Sequence, residues 1–288
     1  QHFNMQGAWH PLIKKIIGES FTTHNLNLSK DCFFGLITGP NMAGKTTVMR
    51  EVAIIQLLTQ IGSFVPAKEV SLSLSDFIFS RLGASDNIQQ GQSTFMVEMS
   101  ETAEITRHAT QNSLVILDEI GRGTSTYDGL SIAWSLVNYF NSKIKCRTLF
   151  ATHYHELIDV VEKLPTSKNL TVRTKKVGER VDFLYELIEQ GANQSFGIYV
   201  AKLAGLPKSV LIEATNILHQ LEKEKSVSKE SSNQLTFFDF NKDPERENDQ
   251  KSSPYIEETI EKLKSLNINN LTPVESLLKI KELQDQLQ

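Results

Sequence analysis

The chain has 288 residues, 40% of them hydrophobic, and a formal net charge of -4. That supply of apolar residues supports one large core plus a smaller appended unit, since domains commonly run ~100 to 200 residues, and the acidic balance excludes a surface that draws a nucleic-acid backbone across its whole face. Cys32 and Cys146 lie far apart without a metal-ligand pattern, and there is neither an apolar run of about 18 residues nor a signal-peptide layout, so a soluble protein of a reducing compartment is expected.

The sequence opens Gln1-His2-Phe3-Asn4 without an initiator Met and soon reaches a glycine-rich loop at Gly39, so it reads as a piece of something longer. Up to about residue 222, strand-like apolar runs alternate with helical periodicity, the pattern of a mainly parallel sheet covered by helices. Phe33 to Thr38 reads as a strand feeding the loop, and Val48, Val52, Ile55 and Leu58 then fall on one helical stripe that stops at Gly62. Leu114-Val115-Ile116-Leu117 is a buried strand ending at an acidic pair, and Thr148 to Ala151 is another ending at Thr152-His153. Both sets of polar residues sit at carboxyl ends of strands, where open α/β sheets bind ligands. Residues 170 to 187 alternate across Lys176 to Glu179 as an antiparallel hairpin would.

Ser195 can cap a helix carrying Ile198, Ala201 and Leu203; Gly205 ends it, and Pro207 opens a second helix with Val210, Ala214, Ile217, Leu218 and Leu221 inward. The result is either two packed helices, suited to a protein contact, or a DNA-reading helix-turn-helix. Residues 223 to 254 are rich in Lys, Glu, Ser, Asn and Asp without sustained periodicity, as a linker would be. Two short helices should close the chain, the second started by Thr272-Pro273-Val274-Glu275. Such a short tail needs a partner to bury its apolar stripe. The expected units are therefore 1–192, 193–222, 223–254 and 255–288.

Gly39-Pro40-Asn41-Met42-Ala43-Gly44-Lys45-Thr46 matches G-x-x-x-x-G-K-[ST] in full, after a strand and at the start of a helix. In such a loop consecutive backbone N–H groups turn toward phosphates and the helix N-terminus adds positive potential. Lys45 would reach the outer phosphates, Thr46 would offer its hydroxyl to Mg²⁺, and Thr47 completes the first turn. Asp118 is the expected second metal anchor, and Glu119 beside it is suited to orienting or deprotonating a water. His153 is either a γ-phosphate sensor or a structural strand-end histidine. Ser93 or Thr94 in Gly91 to Met99 can act as a helix N-cap, or can point that helix at a nucleotide held by a second subunit.

Four stretches resemble the MutS family: Thr38 to Thr46, Gly91 to Met99, Leu117 to Thr126, and Ala151-Thr152-His153-Tyr154-His155-Glu156-Leu157. Gly7 to Pro11 and Ser195 to Pro207 extend the likeness over nearly the whole chain. The resemblance implies an ABC-type P-loop NTPase fold of class α/β, with ATP or ADP and Mg²⁺ as cofactors and two composite sites in a homodimer. Carried over by position, Gly39 to Thr47, Asn41 and Lys45 among them, hold phosphates, and Thr46 and Asp118 hold metal. Glu119 assists hydrolysis, His153 senses the γ-phosphate, and Ser93 acts in trans. Phe21 matches an aromatic that stacks on adenine, with ordinary core packing as the other reading. Ala43 replaces a frequent Gly, Thr46 a frequent Ser, and Trp9 a usual Arg.

The resemblance further implies mismatched DNA as a partner of domains absent from this chain, a MutL-type partner, and a bacterial, nucleoid-associated cytoplasmic setting with no membrane. Gln234-Leu235-Thr236-Phe237-Phe238, an apolar island in a polar stretch, resembles the peptide by which bacterial replication proteins bind the sliding clamp. Asn270 to Leu277 resembles the family's terminal oligomerisation helices, which implies either a dimer or a tetramer. The expected function is ATP hydrolysis that switches a mismatch-scanning clamp; the other reading is a nucleotide-gated dimerisation and clamp-docking module with little turnover. An SMC-like or transporter-type cassette would need heptad arms or membrane partners, and neither signal is present.

Overall fold

A computed structural model describes residues 2–40, 43–83, 94–177, 180–192 and 196–231. Asn41, Met42, Ser93, the turn at Gly178-Glu179, Ser195, the Gln234 to Phe238 peptide and the two terminal helices lie outside the described residues. The chain divides into two compact units, Gln1–Ile217 and Leu218–Gln288.

The first unit is built on two sheets. β1 (Phe3–Ala8) lies between β2 (His24–Leu28) and β4 (Glu69–Leu72) in an antiparallel three-stranded sheet. Its strands alternate buried and exposed residues, as in His24-Asn25-Leu26-Asn27-Leu28, because one face packs on the core and the other meets solvent. This sheet is an addition to the expected mainly parallel one, since its strands are short and their partners remote in sequence. The second sheet has six strands in the order β5 (Ile78–Arg81), β6 (Leu114–Asp118), β7 (Arg147–Thr152), β3 (Phe34–Thr38), β8 (Ser167–Val177) and β9 (Arg180–Ile188). The first five run parallel; β9 returns antiparallel to β8.

Central β3 is buried at all five residues, and its Phe34, Leu36 and Ile37 feed opposite faces of the sheet. One face carries α2 (Lys45–Gln60), whose Val48, Met49, Val52 and Ile55 pack with Ile37, Ile116 and Leu149. The other face is covered by α3 (Thr94–His108), α4 (Thr126–Tyr139), a π-helical turn at Phe140–Ile144 and α5 (Glu156–Glu162), through Ile105, Ala133, Val137, Phe140 and Leu157. The layers are helix, sheet and helix, with α1 (Pro11–Ile17) near the entrance of the chain. α6 (Gly197–Leu203) and α7 (Lys208–Ser231) follow β9. Helix α7 continues to Ser231, into the stretch expected to be a linker. No helix among the described residues is long and apolar enough to cross a membrane.

At the amino end of β7, Arg147 is fully buried. Its guanidinium donates to the carbonyls of His2, Ser73, Leu74 and Asn112, to Ser75 Oγ and to Gln56 Oε1. The planar fork thereby ties the start of the chain, α2 and two loops to one strand, at the end of the sheet away from the phosphate loop. Replacing Arg147 with Met keeps the bulk but removes these bonds; the His2 carbonyl keeps the Ser73 N–H and the Ser73 carbonyl keeps Gln56 Nε2, while each acceptor left unsatisfied costs ~1 to 3 kcal/mol. Thermal unfolding should therefore show a loss of roughly 3 kcal/mol or more, about 6 to 12 °C in Tm for a unit of this size; an unchanged Tm would mean the network carries no stability.

Candidate nucleotide site

The parallel register sets the geometry of the site. Thr38 at the tip of β3 pairs with Thr152 on β7, and Ala151 pairs with Asp118 at the tip of β6. Three strand tips therefore end level, with β7 between the other two, and neighbouring strands lie ~4.8 Å apart. The phosphate loop leaves the first tip, the acidic pair leaves the third, and His153 leaves the middle one.

Gly39 (φ 128) and Gly44 (φ 95) take left-handed backbone that other residues adopt only under strain, and Gly44 is the N-cap of α2. Between them the Ala43 N–H donates to the Pro40 carbonyl at 3.1 Å, and Ala43 itself is buried. Lys45 opens α2 with only 2% of its surface exposed, and its Nζ donates to the Gly39 carbonyl at 2.6 Å, so the ammonium lies against the loop. Burial lowers its pKa, with Glu119 and then Asp118 opposing that shift.

Thr46 Oγ1 donates to Asp118 Oδ2 at 2.8 Å, which joins the first turn of α2 to the tip of β6 across the width of β7. Thr47, half-buried, follows on the same turn. Desolvation raises the pKa of Asp118; the Thr46 bond opposes it, Glu119 adds to it, and Lys45 and Arg50 draw it down. Glu119 has φ 52, a conformation unusual for a residue with a side chain. Its N–H donates to the Ala151 carbonyl at 2.9 Å, and its Oε2 accepts from Arg122 at 2.7 Å.

His153 is exposed, yet its neighbours desolvate it in part. That desolvation is the main cause of its lowered pKa, with Arg122, Lys45 and His155 pushing the same way and Glu119 opposing. Its ring lies 4.2 Å from that of Tyr154.

Phe21 is half-buried and packs edge-on against His24, ring centroids 5.8 Å apart. His24 bridges Glu51 Oε2 on α2 at 2.8 Å and the Tyr185 carbonyl on β9 at 2.7 Å. The Thr22 hydroxyl donates to the Leu184 carbonyl. Tyr185 itself has φ 54, and its ring edge lies 3.4 Å from where a Cβ on Gly44 would stand. Phe21 is thus linked through His24 and Tyr185 to the phosphate loop. Tyr185 is not legible in the sequence because its alternation with Phe183 reads as an ordinary hairpin face; its positive φ leaves no mark on an aromatic residue's identity.

Two hard oxygen donors held together at Thr46 and Asp118 suit magnesium, which takes few protein ligands and keeps waters and phosphate oxygens for the rest. Among the described residues no group of three or more His, Cys, Asp and Glu is arranged to hold a metal ion, so a cation here would need a phosphate ligand to complete its shell.

A helix whose amino end is a glycine-rich cradle, fastened by its first hydroxyl to an acidic strand tip, defines a P-loop nucleoside triphosphatase. Residues 35–222 match the family described as MutS domain V, and the chain belongs to that family. Domain V is an ATPase, which implies that it binds a nucleotide. Over 278 residues the chain is 50% identical to the DNA mismatch repair protein MutS of Orientia tsutsugamushi (strain Ikeda), covering 96% of this chain and 30% of that protein. Over 289 residues it is 47% identical to the protein of the same name from Acetivibrio thermocellus, covering 96% and 32%. Over 222 residues it is 53% identical to that of Clostridioides difficile (strain 630), covering 76% and 23%. The chain thus spans about a third or less of the length of these relatives.

Substituting Lys45 with Ala removes the ammonium that lies against the loop. A charged hydrogen bond contributes ~1.5 to 3 kcal/mol, so titration calorimetry with Mg-ATP should register binding roughly 10- to 100-fold weaker than for the unaltered chain. Equal affinity would remove Lys45 from the site.

Proposed function

We propose that the chain binds Mg-ATP with its phosphates on Gly39 to Thr47 and hydrolyses it with Glu119 acting on water. The Thr46–Asp118 hydrogen bond carries this reading, because it joins the phosphate loop to the strand that bears both carboxylates. Thr46 and Asp118 would hold magnesium, which when bound neutralises charge developing on the phosphates. Lys45 would bind and orient the outer phosphates. Asn41 would add a phosphate contact, and His153 would face the terminal phosphate from the middle strand tip. Glu119 would receive a proton from the attacking water, and the raised backbone φ at that residue supports a special placement. Phe21 would lie along the adenine, a role supported by its linkage to Gly44 through His24 and Tyr185.

In the complete protein, ATP binding would close a homodimer with composite sites, Ser93 reaching the partner's nucleotide, and the cycle of binding and hydrolysis would switch a clamp on mismatched DNA. The names of the relatives support the mismatch-repair setting. Apolar side chains left exposed on and between α6 and α7, Leu203, Leu206, Val210, Ile212 and Ile217, support residues 193–222 as a dimer contact. DNA would be bound by other parts of the protein, in keeping with the net charge of -4. The remaining partners would be a sliding clamp at Gln234 to Phe238, a MutL-type protein, and a further copy through the terminal helices, in a bacterial cytoplasm.

One observation favours the second reading, a nucleotide-gated dimerisation and clamp-docking module with slow turnover: Arg122 already engages Glu119 Oε2, so water must compete for that carboxylate. The Glu119→Gln substitution separates the two. It should retain Mg-ATP binding, lower turnover about 100-fold or more, as removal of a general base does, and sediment as a stable dimer with ATP. Unchanged turnover, with monomers persisting in ATP, would contradict the hydrolytic role.

A further inference from the structure

The loop that leaves β6, residues 119 to 125, is held in a shape it would not choose alone. Glu119 has φ 52 and Gly121 φ 90. A Cβ on Gly121 would stand 2.7 Å from the Gly129 backbone, so the loop presses on the start of α4 with no side chain between. A strained turn of this kind persists only where its surroundings over-determine it.

The two backbone polar groups of Gly121 are both taken by buried side chains from other elements. The N–H donates to Glu98 Oε1 on α3, a charge-assisted bond. The carbonyl accepts from the Tyr154 hydroxyl at 3.0 Å. Each grip is itself anchored. Glu98 lies 3.6 Å from Arg81, the last residue of β5, and Arg81 also pairs with Glu101. The Tyr154 N–H donates to Thr152 Oγ1, and its ring packs on His153. Next along the loop, Gly123 lies so close to Phe95 that a Cβ there would be 2.8 Å from the phenylalanine's own Cβ. The first turns of α3 and the loop are therefore in direct contact at both Gly121 and Gly123.

We propose that Glu98 and Tyr154 are a paired set of positioning residues that fix Glu119, and with it the attacking water, by clamping Gly121. The inference rests on the hydrolytic reading of Glu119. Neither residue reaches the phosphate loop in the contacts described above, so both act through the backbone of the turn. Tyr154 also sets the His153 ring, which places the residues at two of the three strand tips under one control. Loss of either grip lets Gly121 relax and carries Glu119 away from its position, while the phosphate cradle, built by β3 and α2, is untouched.

The test is steady-state ATP turnover and Mg-ATP calorimetry on the 288-residue chain carrying Tyr154→Phe, Glu98→Met, Glu98→Gln or the Tyr154→Phe and Glu98→Met pair, with Glu119→Gln run alongside. The expected result is kcat lowered roughly 10-fold in Tyr154→Phe and in Glu98→Met, as for loss of one charged or buried hydrogen bond, with KM and ATP affinity within about twofold of the unaltered chain. Glu98→Gln, which keeps the acceptor, should recover most of that loss. The double variant should lose less than the product of the single losses, because both hold the same residue. Tyr154→Phe preserves the ring and its packing, so it carries the test if Glu98→Met fails to fold. A folded Tyr154→Phe chain with kcat at the unaltered level, or one in which KM rises and kcat stays constant, overturns the proposal. If Glu119→Gln is inactive while both grip variants turn over normally, only this inference fails; if Glu119→Gln is itself fully active, the hydrolytic reading fails with it.

Discussion

Everything at the site turns on a short hydrogen bond between a helix and a strand that are not neighbours. Thr46 belongs to the first turn of α2, Asp118 to the tip of β6, and β7 lies between β6 and the strand that leads into α2. The bond exists because three parallel strands end level, so that the loop after β3 can set a hydroxyl in the first turn of α2 beside the tip of β6, two strand spacings or about 10 Å away. Remove the parallel order, and the phosphate loop and the acidic pair become two unrelated surface features.

Burial gives that arrangement its electrostatic character. Lys45 is almost wholly covered and Asp118 largely so, and desolvation acts against the charged form of each, lowering one pKa and raising the other. Each is relieved in part by the other's charge. A polyanion with its counter-cation satisfies both at once, the phosphates meeting Lys45 and the cation meeting the carboxylate, and this reciprocal demand is a physical reason for such a site to take a metal-nucleotide complex. Two residues with side chains take left-handed backbone here, Glu119 beside Asp118 and Tyr185 beside Gly44.

The parts of the site most legible in the sequence are those whose chemistry fixes residue type. Gly39, Gly44, Lys45 and Thr46 form a pattern that needs those residues at that spacing, and the apolar run ending at Asp118-Glu119 announces a buried strand with a polar tip. The hairpin of β8 and β9 was legible from alternation. What escaped was anything decided by tertiary approach. Tyr185 alternates as any strand aromatic does, and nothing local reveals its positive φ. Glu98 sits on α3 like a solvated glutamate, and only the fold turns it onto the Gly121 N–H. Arg147 follows a cysteine at a strand start and gives no hint that loops far away in sequence converge on it. The small antiparallel sheet was within reach, since Phe3 to Ala8 and His24 to Leu28 both alternate, but each strand is short and its pairing partners are remote.

With a triphosphate in the cradle, the Thr46 hydroxyl and the Asp118 carboxylate would hold its cation. Crystals grown with manganese in place of magnesium and a non-hydrolysable ATP analogue test it directly through the anomalous scattering of the metal. The account predicts a single strong peak within bonding distance of Thr46 Oγ1, with Asp118 as the nearest carboxylate. A peak elsewhere, or nucleotide bound with its phosphates away from Gly39 to Thr47, would contradict it.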